Sequence, residues 1–210
     1  MSLEELANAV CEADSDKAKL LSEQMLKKGI QPRDILEGLA LGLATLGERW
    51  DRKEAFLVEV LCAVETFNTA LEVIKPSLKE GESNQYGKVV IGTVSGDIHY
   101  VGKNMVAALL EGNGFEVIDL GEDVSAAKFS DAVAFEKPDI LAMSCLVSTS
   151  LSEIEEVIRE LKSRGLRSKV KVMVGGPPVT SEFTSKIGAD LTALDAFKAV
   201  EVAKEAMRRG

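Results

Sequence analysis

At 210 residues, 46% hydrophobic and 28% charged, the chain suits one large or two small domains with a buried core and a wettable surface. Its net charge of −9 disfavours a nucleic-acid backbone or an anionic membrane as partner, and no apolar run approaches the ~20 residues of a membrane span. Cys11, Cys62 and Cys145 are widely separated and form no CxxC pair, so they read as reduced thiols rather than a disulfide frame or zinc site. The opening Met1-Ser2-Leu3-Glu4-Glu5 is acidic and unlike a secretory leader, so a cytoplasmic location is expected.

Residues 1 to about 80 follow a helical grammar. Leu3, Leu6, Ala7 and Val10 fall at helical spacing, as do Leu20, Leu21, Met25 and Leu26 before Gly29. Pro32 starts a third helix with Ile35, Leu36, Leu39, Leu43 and Leu46 on one stripe. A long fourth helix is expected from about Arg52 to Leu78, carrying Phe56, Leu57, Val60, Leu61, Val64, Phe67, Leu71 and Ile74. Four helices with short connections predict an antiparallel bundle. Gly81 to Gly87 is rich in turn formers and reads as a linker. Beyond it, strand and helix signals alternate. Strands are expected at 88–95, 115–120, 139–146, 169–174 and 190–194, and helices at 102–112, 125–136, 150–163, 180–187 and 195–208. Five βα units predict an α/β domain with a doubly wound parallel sheet.

Asp97-Ile98-His99-Tyr100-Val101-Gly102 holds the only histidine and follows the first expected strand, at the edge where open α/β sheets gather their ligands. A neutral imidazole suits a first-row transition metal, and a carboxylate two residues away can take the other ring N–H, fixing the tautomer. On the hexapeptide alone, a plain polar loop histidine is an equal alternative. Other doubly wound readings fail at particular residues. Gly96 and Gly102 have five residues between them and Asn104 follows Lys103, so there is no phosphate-binding P-loop, and no Gly-x-Gly-x-x-Gly follows the first strand. A phosphoryl receiver needs an acidic acceptor where the third strand ends in Ser144-Cys145-Leu146.

After Gly102 come 41 residues and then Ser144-Cys145-Leu146; after Leu146 come 28 residues and then Gly175-Gly176. Asp-x-His-x-x-Gly, Ser-x-Leu and Gly-Gly at these separations resemble the cobalamin-binding module of methionine synthase and of the methanol, methylamine and O-demethylase corrinoid proteins. The resemblance extends upstream through Leu46-Gly47-Glu48-Arg49-Trp50 and Glu54-Ala55-Phe56-Leu57 and so covers nearly the whole chain. It implies a helical cap (1–80), a linker (81–87) and a Rossmann-like, flavodoxin-type domain (88–210).

The implied cofactor is cobalamin or another cobamide, base-off, with His99 as lower axial ligand to cobalt. Its nucleotide tail would enter a slot lined by Gly92, Gly175 and Gly176, where Ser144 would bond the buried base and Leu146 and Val147 would form apolar wall. Gly96, Ile98, Tyr100, Val101, Gly102 and Ser148 complete the expected cofactor contacts. Asp97 and Ser150 would form a proton relay with His99; Ser150 is equally placed as an N-cap for the helix that follows. Trp50, Leu57 and Val60 would cover the upper face, with ordinary bundle core as the alternative. Tyr100 and Pro177 depart from the family pattern, where aspartate and alanine are common.

The function so implied is that of a methyl carrier and not a catalyst alone. It would serve a donor-specific methyltransferase and an acceptor methyltransferase, with a reductive activase as a third partner. The donor would be a C1 compound, a methoxylated aromatic ahead of methanol or a methylamine, and the acceptor tetrahydrofolate or a thiol. A B12-based sensor and a cofactor-free α/β binding module are the rival readings.

Overall fold

The computed structural model describes residues 2–77 and 86–208, which fall into two units, Met1–Gln85 with Glu111–Gly114 and Tyr86–Leu110 with Phe115–Gly210. In the first unit Ser2 and Glu5 form a reciprocal capping box that starts α1, Leu3–Cys11. Asp14 caps α2, Ser15–Lys27, and Pro32 occupies the first turn of α3, Pro32–Asp51, where its missing N–H costs nothing. α1 packs on α3 and α2 on α4, Leu57–Ile74. A Cβ on Gly42 would lie 2.5 Å from the Ala7 carbonyl, so glycine permits the close α1–α3 approach.

The fourth helix does not begin at Arg52. Residues 52–56 form a turn in which Lys53 has φ +60° and the Glu59 carboxylate caps the Phe56 N–H at 2.8 Å. Arg49 reaches the same Glu59 at 3.0 Å, tying the end of α3 to the start of α4. Phe56, expected on the buried stripe, is therefore a helix cap and exposed. At the far end the helix gives way at Lys75–Ser77 to a 3-10 turn around Pro76; Leu78 and the linker residues up to Gln85 lie outside the described residues.

The second unit runs β1 (Gly87–Thr93), α5 (Val101–Gly112), β2 (Phe115–Asp119), α6 (Ala126–Glu136), β3 (Ile140–Ser144), α7 (Leu151–Ser163), β4 (Lys171–Gly175), α8 (Ser181–Ile187), β5 (Leu191–Thr192) and α9 (Ala196–Arg208). All pairings are parallel and the order is β2-β1-β3-β4-β5. One sheet face presents Val90, Leu141, Met143, Val172 and Val174 to a core that includes Phe129 of α6 and Ile154, Val157 and Leu161 of α7. Packing at both faces explains why the strands read as apolar runs rather than alternating ones. β5 is only two residues long, shorter than the expected 190–194.

Candidate functional site

The strand order reverses between β1 and β3, so the loops leaving these two strands stand side by side, the usual ligand edge of such a sheet. Asp97 joins them. Gly96 turns the chain with φ +75°, and the Asp97 carboxylate, 1% exposed, faces both loops. One oxygen, Oδ1, accepts from the backbone N–H of His99 at 3.0 Å and meets His99 Nδ1 at 2.7 Å. The other, Oδ2, accepts from the N–H of Leu146 at 2.5 Å and of Val147 at 3.4 Å. Burial pushes the Asp97 pKa up, but the bonds from His99, Leu146 and Val147 outweigh it and hold the carboxyl below its ordinary value. Asp97 is thus an anion at neutral pH and has no proton to give, so in this contact Nδ1 is the donor, and the other ring nitrogen, Nε2, takes no part in it.

The imidazole stands outward, with 52% of its side chain exposed. Thr93 Oγ1 bonds the His99 carbonyl at 3.0 Å, fixing the backbone beneath it. Ile98, Tyr100 and Val101, beside His99 in the chain, and Leu146 of the loop after β3 are exposed hydrophobic side chains.

Beside this edge lies a cavity of about 800 Å³ within the second unit, inside the ~300–1,000 Å³ range of sites that take organic ligands. Its floor is one row of the sheet, since Ile91 pairs with Ala142 and Ala142 with Met173. Ala142 is the low point between two long side chains. Met105 and Val106 of α5 and Ala196 and Ala199 of α9 line it as well. Two residues further along the strands, on the same face, Ser144 pairs with Gly175, and both border the cavity.

The three glycines proposed for a slot have three different environments. A Cβ on Gly175 would meet nothing within 4 Å, so its missing side chain fronts open space. Gly176, with φ +124°, would place a Cβ 1.9 Å from the Cys145 carbonyl, so the crossing of β4's end beneath the β3 loop requires glycine there. Gly92 does not belong to the slot. Its vacant position faces the Phe129 ring at 2.9 Å, on the opposite sheet face, where glycine accommodates α6.

Ser150 requires a second correction. It is buried and precedes α7, yet its side chain makes no capping bond, and among the described residues no hydrogen bond joins it to Asp97. Its Oγ would be 3.2 Å from a Cβ on Gly96, so it packs against the loop backbone. Leu146 and Val147 act on Asp97 through their N–H groups, whereas sequence reasoning gave them only an apolar role. Ser148 begins a 3-10 turn and is exposed.

Gly102 and Pro177 also line the cavity. Trp50, Leu57 and Val60 belong to the first unit: Trp50 is half-buried at the end of α3, Leu57 is exposed at the start of α4, and Val60 is buried, which is the core alternative for that residue. Sequence reasoning missed Lys103. Its ammonium is buried at the cavity wall between Asp119 and Asn104 Oδ1, the latter at 2.7 Å. An isolated lysine in an amphipathic helix gives no sign of burial. The spacing Ala196-Ala199-Ala203-Ala206 does signal a helix face kept small.

Comparison with known proteins bears on both units. Two family profiles, each described as a B12 binding domain, match residues 87–201 and 2–75. The chain is 41% identical to trimethylamine corrinoid protein 1 of Methanosarcina acetivorans, over 88% of this chain and 87% of that one. It is 40% identical to the dimethylamine corrinoid protein of Methanosarcina barkeri, over 97% and 96%. Among solved structures, the methanol:cobalamin methyltransferase complex MtaBC of Methanosarcina barkeri superposes with a TM-score of 0.85 at 28% identity, covering 99% of this chain and 80% of that one.

Proposed function

The chain belongs to the B12 binding domain family of corrinoid proteins, and we propose that it carries a methyl group between two methyltransferases on a cobamide bound base-off, with His99 as the lower ligand. The observation that carries this reading is the Asp97–His99 pair: a buried anion holds Nδ1 and leaves Nε2 outward, beside a cavity of organic-cofactor size. A single imidazole is one donor, so a metal held there would have to bring its remaining donors with it, as a macrocycle-bound metal does. Among the described residues no three His, Cys, Asp or Glu side chains cluster to form a protein-only site.

When bound, the cobamide supplies a cobalt centre able to accept and release a methyl group. The protein's part is positional and electrostatic. Asp97 keeps the proton on Nδ1, raises the basicity of Nε2 and fixes the ring plane. Ile98, Tyr100, Val101 and Leu146 offer an apolar bed at the ligand edge. The Ala142 trough, Ser144 and the open position at Gly175 would receive the nucleotide tail.

The named relatives put a methylated amine ahead of a methoxylated aromatic as donor, with tetrahydrofolate or a thiol as acceptor. A donor methyltransferase, an acceptor methyltransferase and a reductive activase are the proposed partners. No helix among the described residues is long and apolar enough to cross a membrane. The test is transfer of isotopic methyl from each donor class to chain reconstituted with hydroxocobalamin and reduced to Co(I) by titanium(III) citrate under anaerobic conditions, in the presence of the matching donor methyltransferase. Label should co-purify with the chain for one donor class. No label from any class would defeat the carrier reading.

A further inference from the structure

The loop that carries His99 is held from two sides, and only one of them is Asp97's own carboxylate. The other is the loop between β2 and α6. Its residue Asp123 sits in the left-handed region at φ +50°, a conformation rare outside glycine, though aspartate is among the residues enriched there. From that position Asp123 Oδ1 accepts the Gly96 N–H at 2.7 Å and lies 3.1 Å from Ser95 Oγ. Its own N–H donates to the Asp97 carbonyl at 3.1 Å. The flanking backbone continues the attachment: Thr93 N–H to the Gly121 carbonyl at 3.0 Å, Val124 N–H to the Thr93 carbonyl at 2.9 Å, and a parallel bridge between Val94 and Val124.

We propose that Asp123 is a positioning residue for the metal-ligand loop, setting where His99 stands by fixing the backbone on both sides of the Gly96–Asp97 peptide. The inference rests on the reading of His99 as the axial ligand. A ligating group must be held within about 0.5 Å of its working position by residues that are themselves fixed. Asp97 orients the imidazole, but Asp97's own backbone needs a second anchor, because Gly96 before it is a flexible turn residue. Leu146 and Val147 grip the Asp97 side chain, the Asp97 N–H turns back to the Val94 carbonyl of its own loop at 3.2 Å, and Asp123 ties the Asp97 carbonyl to the loop between β2 and α6. A strained non-glycine conformation that persists at such a point is over-determined by its surroundings.

The test uses the full chain and hydroxocobalamin as probe. Asp123→Gly removes the acceptor while relieving the backbone strain, and so keeps the fold accessible. Asp123→Asn keeps an oxygen for Gly96 and tolerates the left-handed conformation. The glycine variant should bind the probe about tenfold more weakly or worse, with diminished nitrogen splitting in the Co(II) spectrum, while the apoprotein stays folded at the assay temperature, its melting temperature lowered by only a few °C because relief of strain offsets part of the lost hydrogen bonding. The asparagine variant should recover most of both. Wild-type binding and splitting in Asp123→Gly would overturn the proposal, as would a loss of binding that merely follows unfolding of the apoprotein at the assay temperature. Absence of nitrogen splitting in the wild type would instead defeat the His99 assignment, whatever Asp123 does.

Discussion

Asp97→Asn preserves shape, and from shape alone it should be benign; the hydrogen bonds indicate otherwise. Both carboxylate oxygens are in use, Oδ1 by His99 and Oδ2 by the Leu146 and Val147 N–H groups. Asparagine has a single oxygen. If it serves His99, an NH2 group replaces the acceptor 2.5 Å from the Leu146 nitrogen, and donor faces donor. A hydrogen bond to a charged group contributes about 1.5–3 kcal/mol, and a buried donor left unpaired costs about 1–3 kcal/mol. The expected loss is therefore about 2–4 kcal/mol. At ~2–4 °C per kcal/mol for a protein of this size, the second unit should melt roughly 5–15 °C lower.

Circular dichroism melts of the apoprotein read the shift, and the Leu146 amide resonance reports whether its acceptor has gone. The pH dependence has a definite sign. Because the Asp97 pKa is lowered in the folded protein, its contribution is present above the unfolded value near 4 and disappears as pH falls through the lower folded value. The wild-type advantage over Asp97→Asn should thus shrink below about pH 4. A variant within about 0.5 kcal/mol of wild type at pH 7, with an unmoved Leu146 amide, would refute this view of Asp97 as the tie between the two loops.

Gly175→Leu should fold normally and lose cobamide binding, since its side chain enters open space at the cavity, whereas Gly176→Ala should cost about 2–5 kcal/mol of stability from strain and overlap with the Cys145 carbonyl; melts and binding titrations of both separate the two roles. Burial, followed by the charge of Asp97, pushes the Cys145 thiol up to about 11. Its folded pKa is raised, so stability is full below the unfolded value and falls as pH rises toward the folded one, by about 3 kcal/mol at ~1.4 kcal/mol per unit. Cys145→Ala should flatten urea-denaturation stability between pH 8.5 and 11, and an unchanged slope would show that the thiol is not the group responsible. Ser150→Ala should leave the Asp97–His99 pair and the pH dependence of the cofactor's potential as in wild type; a changed dependence would restore Ser150 to the relay.

The β-unit was legible because burial on both faces writes each strand as an apolar run closed by turn residues, and because His99 is unique in the chain. Asp97's partnership with His99 followed from a two-residue spacing. Its grip on Leu146 and Val147 did not, because backbone donors carry no side-chain signature and the two loops are 49 and 50 residues apart. Gly92 misled for a related reason: a strand glycine announces a close approach but not from which face, and here it is Phe129 that approaches. Asp123 stood in a turn-rich segment where an aspartate is ordinary, and only its φ and its bond to Gly96 distinguish it. The turn at 52–56 was hidden because Phe56 and Leu57 continue the apolar stripe by spacing, although Glu59 ends the helix backward at Phe56.

Electron paramagnetic resonance of the Co(II) form, recorded with the protein at natural abundance and uniformly labelled with ¹⁵N, tests the central assignment most directly. With His99 Nε2 on the metal, the splitting from one nitrogen changes from three lines to two on labelling and disappears in His99→Ala. A splitting indifferent to both the label and the substitution would mean that the lower ligand is not this histidine.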